Sequence, residues 1–162
     1  MPVLLYLEDT PEVGDGVRMA EDAYVVGKVT VAGPAVLARS AVLRGDQNAI
    51  SVGARFRIGA QSTVHVEEHT GTHIGQDVWV GDNAVVHACW LGDGMRVEDG
   101  GVVLSGARVG SGSIVATGAL VPEDSSFPDN SYITGTPGRR VRETTEAERQ
   151  ETLALVGAVL SG

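Results

Sequence analysis

The chain has 162 residues, 43% hydrophobic, 4% aromatic and 20% charged, which suits one ordinary folded domain and argues against a disordered or multidomain chain. Twelve Lys+Arg against 21 Asp+Glu give a formal charge of -9, the wrong sign for binding a nucleic-acid backbone or an anionic membrane. Twenty-two Gly against two Phe, three Tyr and two Trp is too rich in turns and too poor in aromatics for a layered α/β core, and points to a repeat.

Residues 1–22 show no clear period and are expected to cap the first coil of a repeat that begins at Val25, because an open strand edge invites addition of another strand. Met1–Leu5 lacks the basic start and long apolar run of a secretory signal, and no apolar run in the chain is long enough to span a bilayer. Cys89 is the one cysteine, so no intrachain disulfide forms, and the expected location is the cytoplasm.

From Val25 a small aliphatic residue returns at Val31, Leu37, Leu43, Val52, Ile58, Val64, Ile74, Val80, Val86, Leu91, Val97, Val103, Val109, Val115 and Val121, and twelve of the fifteen intervals are six residues. A period of six suits neither an amphipathic helix nor an alternating strand. It suits a triangular prism with one hexad per side and three hexads per coil. Residues 23–122 are therefore expected to form an all-β solenoid, a parallel β-helix of about five coils stacked at about 4.8 Å, or about 25 Å in length. The residue after the aliphatic is often glycine (Gly53, Gly59, Gly75, Gly81, Gly92, Gly110), as a chain that bends sharply after each short strand requires. Intervals of nine after Leu43, ten after Val64 and five after Val86 mark two protruding loops and one tightened corner, the places on a regular scaffold where function sits.

All four histidines, His65, His69, His73 and His87, fall within residues 65–87. His65 and His87 each follow a periodic aliphatic, and Val64 and Val86 are three hexads apart, so the two imidazoles are expected to stack on one edge of the prism about one strand spacing apart. That separation lets both reach one ion at about 2.0–2.1 Å, as zinc requires; the bland alternative is a pair of solvated corner histidines. Thr70-Gly71-Thr72 argues against a helix through the 65/69/73 spacing, leaving His69 and His73 on a strand end and its loop as weaker candidates for metal or substrate.

After Val121 the period stops at Pro122, and residues 123–162 are expected to leave the prism through a turn-rich stretch past Pro128 and Pro137. Thr145 and Glu148 then form a capping box for a helix carrying Leu153, Val156, Val159 and Leu160, whose role is to cover the prism flank within a single domain.

The run Leu43-Arg44-Gly45-Asp46-Gln47-Asn48-Ala49-Ile50, then Val64-His65-Val66, Val86-His87-Ala88-Cys89 and Tyr132-Ile133-Thr134-Gly135-Thr136-Pro137-Gly138 followed by Val141-Arg142 resembles the gamma-class carbonic anhydrase family of left-handed β-helices, over roughly residues 23–148. The hexads and the Gly-x-Pro ending are shared with hexapeptide acyltransferases, whereas Arg-Gly-Asp plus two spaced histidines is more particular to this family. The resemblance implies a homotrimer with metal sites between subunits, two histidines from one chain and a third from its neighbour. His65 and His87 match the first pair, and Arg44 and Asp46 match a structural ion pair. The third family histidine, five residues before the second of the pair, is here Asp82.

Other departures gather round the same pocket. The family's Asn-x-Gln-Asp, whose glutamine positions the reacting solvent, aligns with Arg57-Ile58-Gly59-Ala60. Glu68 matches a proton-shuttling glutamate of some members, or is a solvated loop carboxylate; Gln47 occupies a second position that can be acidic. Tyr132 matches a tyrosine near the site, or simply packs. Trp90 stands where a small polar residue is common, and with Trp79 either packs at a subunit interface or walls a pocket for an organic substrate larger than carbon dioxide. Two histidines and a carboxylate bind zinc but are also the facial triad favoured by Fe(II).

These residues support three functions: a trimeric metal-dependent hydratase/lyase or hydrolase acting on a small molecule, with weak or altered carbon dioxide hydration; a non-catalytic trimeric scaffold or assembly subunit; and a hexapeptide acyltransferase with His87 as general base, against which the lack of a long substrate-binding loop counts.

Overall fold

The sixteen periodic aliphatics all point inward, and none is more than 2% exposed. In the computed structural model, which describes residues 2–162, they line the axis of a parallel β-solenoid closed by one C-terminal helix. Strand side chains alternate, so Phe56 and Ile58 are buried while Arg57 between them is not, and Val78 and Val80 are buried with Trp79 between them turned outward.

Three faces result. The first stacks Thr63–His65, Val85–His87, Val102–Val103 and Leu120–Val121; the second stacks Thr72–Ile74, Trp90–Leu91, Arg108–Val109 and Ser126–Phe127. The long strands Tyr24–Val31 and Val42–Val52 round the corner and belong to both, joining them into one 12-stranded sheet. The third face is an eight-stranded sheet running from Val17–Met19 through Ala35–Leu37, Phe56–Ile58, Val78–Val80, Arg96–Val97 and Ile114–Val115 to Ser131–Thr134, with Arg139–Glu143 added antiparallel at its end.

The solenoid has about seven coils, not the five expected. At the N-terminal end, Val3–Leu4 and Glu12–Val13 pair in parallel with Tyr24–Val31, and Val17–Met19 with Ala35–Leu37, so this segment covers the prism as a coil of its own. Leu4 and Val13 stay exposed there because an end coil has a neighbour on one side only, which is why no buried period shows in the sequence. At the other end the six-residue step continues past Pro122 to Phe127 and Ile133, and Ile133 is fully buried.

The glycine after the aliphatic serves a different purpose from the bend expected of it. A Cβ on Gly53 would lie 2.7 Å from the carbonyl carbon of Gly75 on the next coil, so what this position needs is close backbone approach. The left-handed backbone that turns the corner comes three residues after the aliphatic, as at Gly100 (φ +68°) after Val97, and is also supplied there by Gln61, Asp77, Asn83, Asp124 and Asn130.

The helix Glu146–Ser161 starts at Thr145, whose hydroxyl accepts from the Glu148 N–H while the Glu148 carboxylate accepts from the Thr145 N–H, the expected capping box. It lies on the third face with Thr152 and Val156 buried and Val159 and Leu160 half-buried; Leu153 instead faces solvent. Arg96, only 7% exposed, donates to the Glu148 carbonyl and the Thr152 hydroxyl and pairs with Glu98 and Glu151. Arg18 on the first coil donates to the carbonyls of Val159 and Gly162 at the helix end.

The bidentate Arg142 guanidinium, with the Thr145 N–H, holds the Glu148 carboxyl down from its ordinary 4.5 to about 2. A carboxyl depressed on folding contributes stability that is present above its unfolded pKa and is lost as pH falls through the folded one. The start of the helix is therefore expected to weaken between about pH 4.5 and about 2. Amide exchange across Glu146–Ser161 checks this against Glu148→Gln, in which that part of the pH dependence should vanish; equal acid sensitivity in both proteins overturns it.

Candidate functional site

His65 and His87 are partners in the ladder between Thr63–His65 and Val85–His87, each the last residue of its strand and the first beyond a buried valine. Period and register bring their rings to 5.2 Å between centroids, tilted by 43°. This is the edge on which the hexad count places them.

Each imidazole carries an acidic partner. His65 Nε2 lies 2.9 Å from Asp46 Oδ1, and Arg44 Nε is 3.6 Å from Asp46 Oδ2, so the matched ion pair continues into the histidine. Burial pushes the Asp46 carboxyl up, but hydrogen bonds from His65 and the Gln47 N–H, with the Arg44 charge, outweigh it and hold the group below its ordinary value. His87 Nε2 lies 3.5 Å from Glu67 Oε1, which also accepts a hydrogen bond from the Ser105 hydroxyl. Sequence alone does not reveal Glu67 and Ser105, because Glu67 sits in the irregular loop and Ser105 is 38 residues away, beside it only through the stacking of coils.

The other candidates scatter. Glu68 and His69 face solvent, 3.8 Å from each other. His73 is on the second face, stacked on Trp90 at 5.6 Å. Gln47 borders a small cavity with Asp46, Asp9 and Lys28. Tyr132 is on the third face, in register with Ile114, with the Arg142 guanidinium 4.0 Å from its ring centroid. Trp79 is on that face too, under Arg57 at 4.1 Å.

Asp82 occupies the corner between the third and first faces. Its Oδ1 accepts from Arg57 at 3.1 Å and from the Ala60 N–H at 2.9 Å, while Oδ2 accepts no hydrogen bond among the described residues. Among those residues no three His, Cys, Asp or Glu side chains converge as a complete cation site within one chain. Two in-register imidazoles are part of the donor set that a zinc-type site needs.

No family model matches the chain. It is 33% identical over 147 residues to Gamma carbonic anhydrase 2, mitochondrial, of Arabidopsis thaliana, which covers 87% of this chain and 53% of that protein. It is 43% identical over 136 residues to a probable carbonic anhydrase of Methanocaldococcus jannaschii, covering 84% of this chain and 86% of that one. The chain belongs to the gamma-class carbonic anhydrase-like family of hexapeptide-repeat proteins. This member of the family also superposes on a solved hexapeptide transferase family protein from Anaplasma phagocytophilum with a TM-score of 0.94 at 28% identity, over 99% of this chain and 95% of that one. The two stacked histidines and the Arg44–Asp46 pair lie at the positions the resemblance matches, and an Arg57–Asp82 pair stands where the resemblance places an asparagine and a histidine. No helix among the described residues is long and apolar enough to cross a membrane.

Proposed function

We propose that the protein is a homotrimeric metal-dependent hydratase/lyase or hydrolase in which His65 and His87 of one subunit and Asp82 of a neighbour hold a divalent ion, zinc or Fe(II). The observation that carries this is the in-register imidazole pair with its two acidic partners. When bound, such an ion would supply Lewis acidity that lowers the pKa of water, towards about 7 where all three ligands are histidines. The chain's own residues set the rest. Asp46 and Glu67 fix the orientation of His65 and His87, as acidic partners of ligating histidines do. Glu67, joined to both Ser105 and His87, is better placed than the solvent-facing Glu68 to accept and pass a proton. Arg57 and the Ala60 N–H grip Asp82 Oδ1 and leave Oδ2 to project outward from a side chain that is 45% exposed. Light scattering should give about three times 16.8 kDa, and protein purified without a metal-affinity tag should carry stoichiometric metal. A stable monomer with stoichiometric metal overturns the interfacial site, and a metal-free trimer leaves the non-catalytic scaffold.

Asp82→Asn is the discriminating variant. The amide oxygen can keep the bonds from Arg57 and Ala60, so the fold should hold, whereas alanine would leave a mostly buried guanidinium unpaired. Metal affinity is expected to fall tenfold or more, on the order of what loss of a ligand or its support costs, in a chelator-competition titration. Unchanged affinity would instead point to His69 or His73 as the third ligand.

The likeness to a solved hexapeptide transferase family protein favours a second reading, acyl transfer with His87 as general base. Saturable acetyl-CoA binding that persists in His87→Ala, with acyl transfer that this variant loses, would support it over the first.

A further inference from the structure

A cavity of about 400 Å³ lies round the corner from the histidine pair, on the second face. Small residues at the corner, among them Ala49, Gly71, Ala88 and Gly106, form its low side. Its high side is a ladder of side chains in register on successive strands: Ser51, His73, Trp90 and Arg108. The His73 ring lies nearly parallel to Trp90, at 15°, and from the next coil the Arg108 guanidinium sits 4.8 Å from the Trp90 ring centroid. Four coils contribute, so the groove runs along the prism axis for about 14 Å at about 4.8 Å per strand. Its volume is that of a pocket for a small organic molecule, about 300–1,000 Å³.

Its chemistry runs against that of the whole chain. The protein carries a net charge of -9, yet no acidic residue lines this groove. Among the described residues Arg108, like Arg18, Arg39 and Arg139, makes no ion pair, whereas Arg55, Arg57, Arg96, Arg142 and Arg149 do, and Arg108 is the one Arg or Lys lining this groove. Stacking on Trp90 restrains the guanidinium while leaving its N–H fork free, the geometry that takes a carboxylate through two parallel hydrogen bonds. The facing wall is mostly apolar, with Ala49, Ala88, Ala107 and the buried Cys89 beside the polar Asn48 and Thr70.

We propose that this groove binds an organic monocarboxylate with an extended apolar chain, the carboxylate forked on Arg108 and the chain lying against Trp90 and the alanine wall. A single fixed cation matches a planar monoanion. Because Ala88 adjoins His87, the inference names the substrate class of the site proposed above; it rests on that proposal for the chemistry but not for the binding.

Calorimetric titration of the full chain, metal-loaded and metal-stripped, with straight-chain carboxylates from butyrate to octanoate and the matched alcohols tests it. Affinity should climb about three- to fourfold per methylene until the groove is full. Acids should exceed alcohols by on the order of tenfold or more. Arg108→Gln should erase the difference between acid and alcohol, and Trp90→Ala should flatten the dependence on chain length. Persistence of these results in metal-stripped protein upholds the groove even where metal analysis defeats the metal centre. Absence of binding, equal binding of acids and alcohols, or an Arg108→Gln variant that binds as before overturns the proposal. A Trp90→Ala variant that changes the mass in light scattering, in a protein that binds no carboxylate, assigns this face to contact between copies instead.

Discussion

Replacing His87 with alanine is expected to strip the protein of metal altogether, whereas Glu67→Gln should lower affinity by about ten- to a hundredfold and leave the metal bound at saturating concentration. The two variants separate a donor from the group that aims it. His87 ends its strand on the outer side of the prism wall, so its truncation opens no cavity, and the buried valine before it continues to hold the coil. Metal per chain after dialysis, with amide exchange on Val85–His87 as a control for folding, reads the result. Stoichiometric metal in His87→Ala would move the centre away from the stacked pair and defeat the proposal. The same measurement on Asp46→Asn should follow Glu67→Gln, because Asp46 faces His65 as Glu67 faces His87.

Carbon dioxide hydration by the fully metallated protein should fall on the order of a hundredfold or more below what the site supports when a side chain aims the attacking water. Gly59 and Ala60 offer no such side chain, and the carboxylate ligand proposed in place of a third imidazole would weaken the pull of the ion on its water. The loss is built into the packing: a Cβ on Gly59 would collide with the Gly81 carbonyl and with Asp82 Oδ1, so Gly59→Gln cannot restore the missing amide without displacing the next coil. Stopped-flow hydration with zinc, iron and cobalt decides the point. Vigorous activity that disappears in His65→Ala and His87→Ala would show that Gly59 and Asp82 matter less than their positions suggest.

The sequence exposes the parts of this molecule that repeat and hides the parts that do not. Sixteen aliphatics, twelve of their fifteen intervals six residues, locate the inner wall because every coil imposes the same steric demand on that position, and the register of His65 with His87 comes from counting hexads. The first coil leaves no such mark because Leu4 and Val13 are exposed and Val17 and Met19 only half-buried, and the last because Phe127, between Pro122 and Pro128, breaks the aliphatic pattern without breaking the step. At the site, the two imidazoles are legible but their partners are not. Ser105 reaches Glu67 across coils, and Asp82 meets Arg57 across 25 residues of chain, contacts that depend on which side chains face outward at corners where the sequence carries no period.

A column of coils in which each touches only the next ordinarily unravels from its tips. The terminal helix denies this one that route. Arg18 in the first coil grips the last carbonyls of the helix, and Arg96, four coils on, grips its opening turns, so a single rod is riveted to the column at two distant levels. Fraying at the N-terminal tip must first loosen the helix, and loosening the helix uncovers the strands beneath its middle. The fastening couples layers that would otherwise separate one at a time, so opening of the N-terminal tip and release of the helix are expected to occur together.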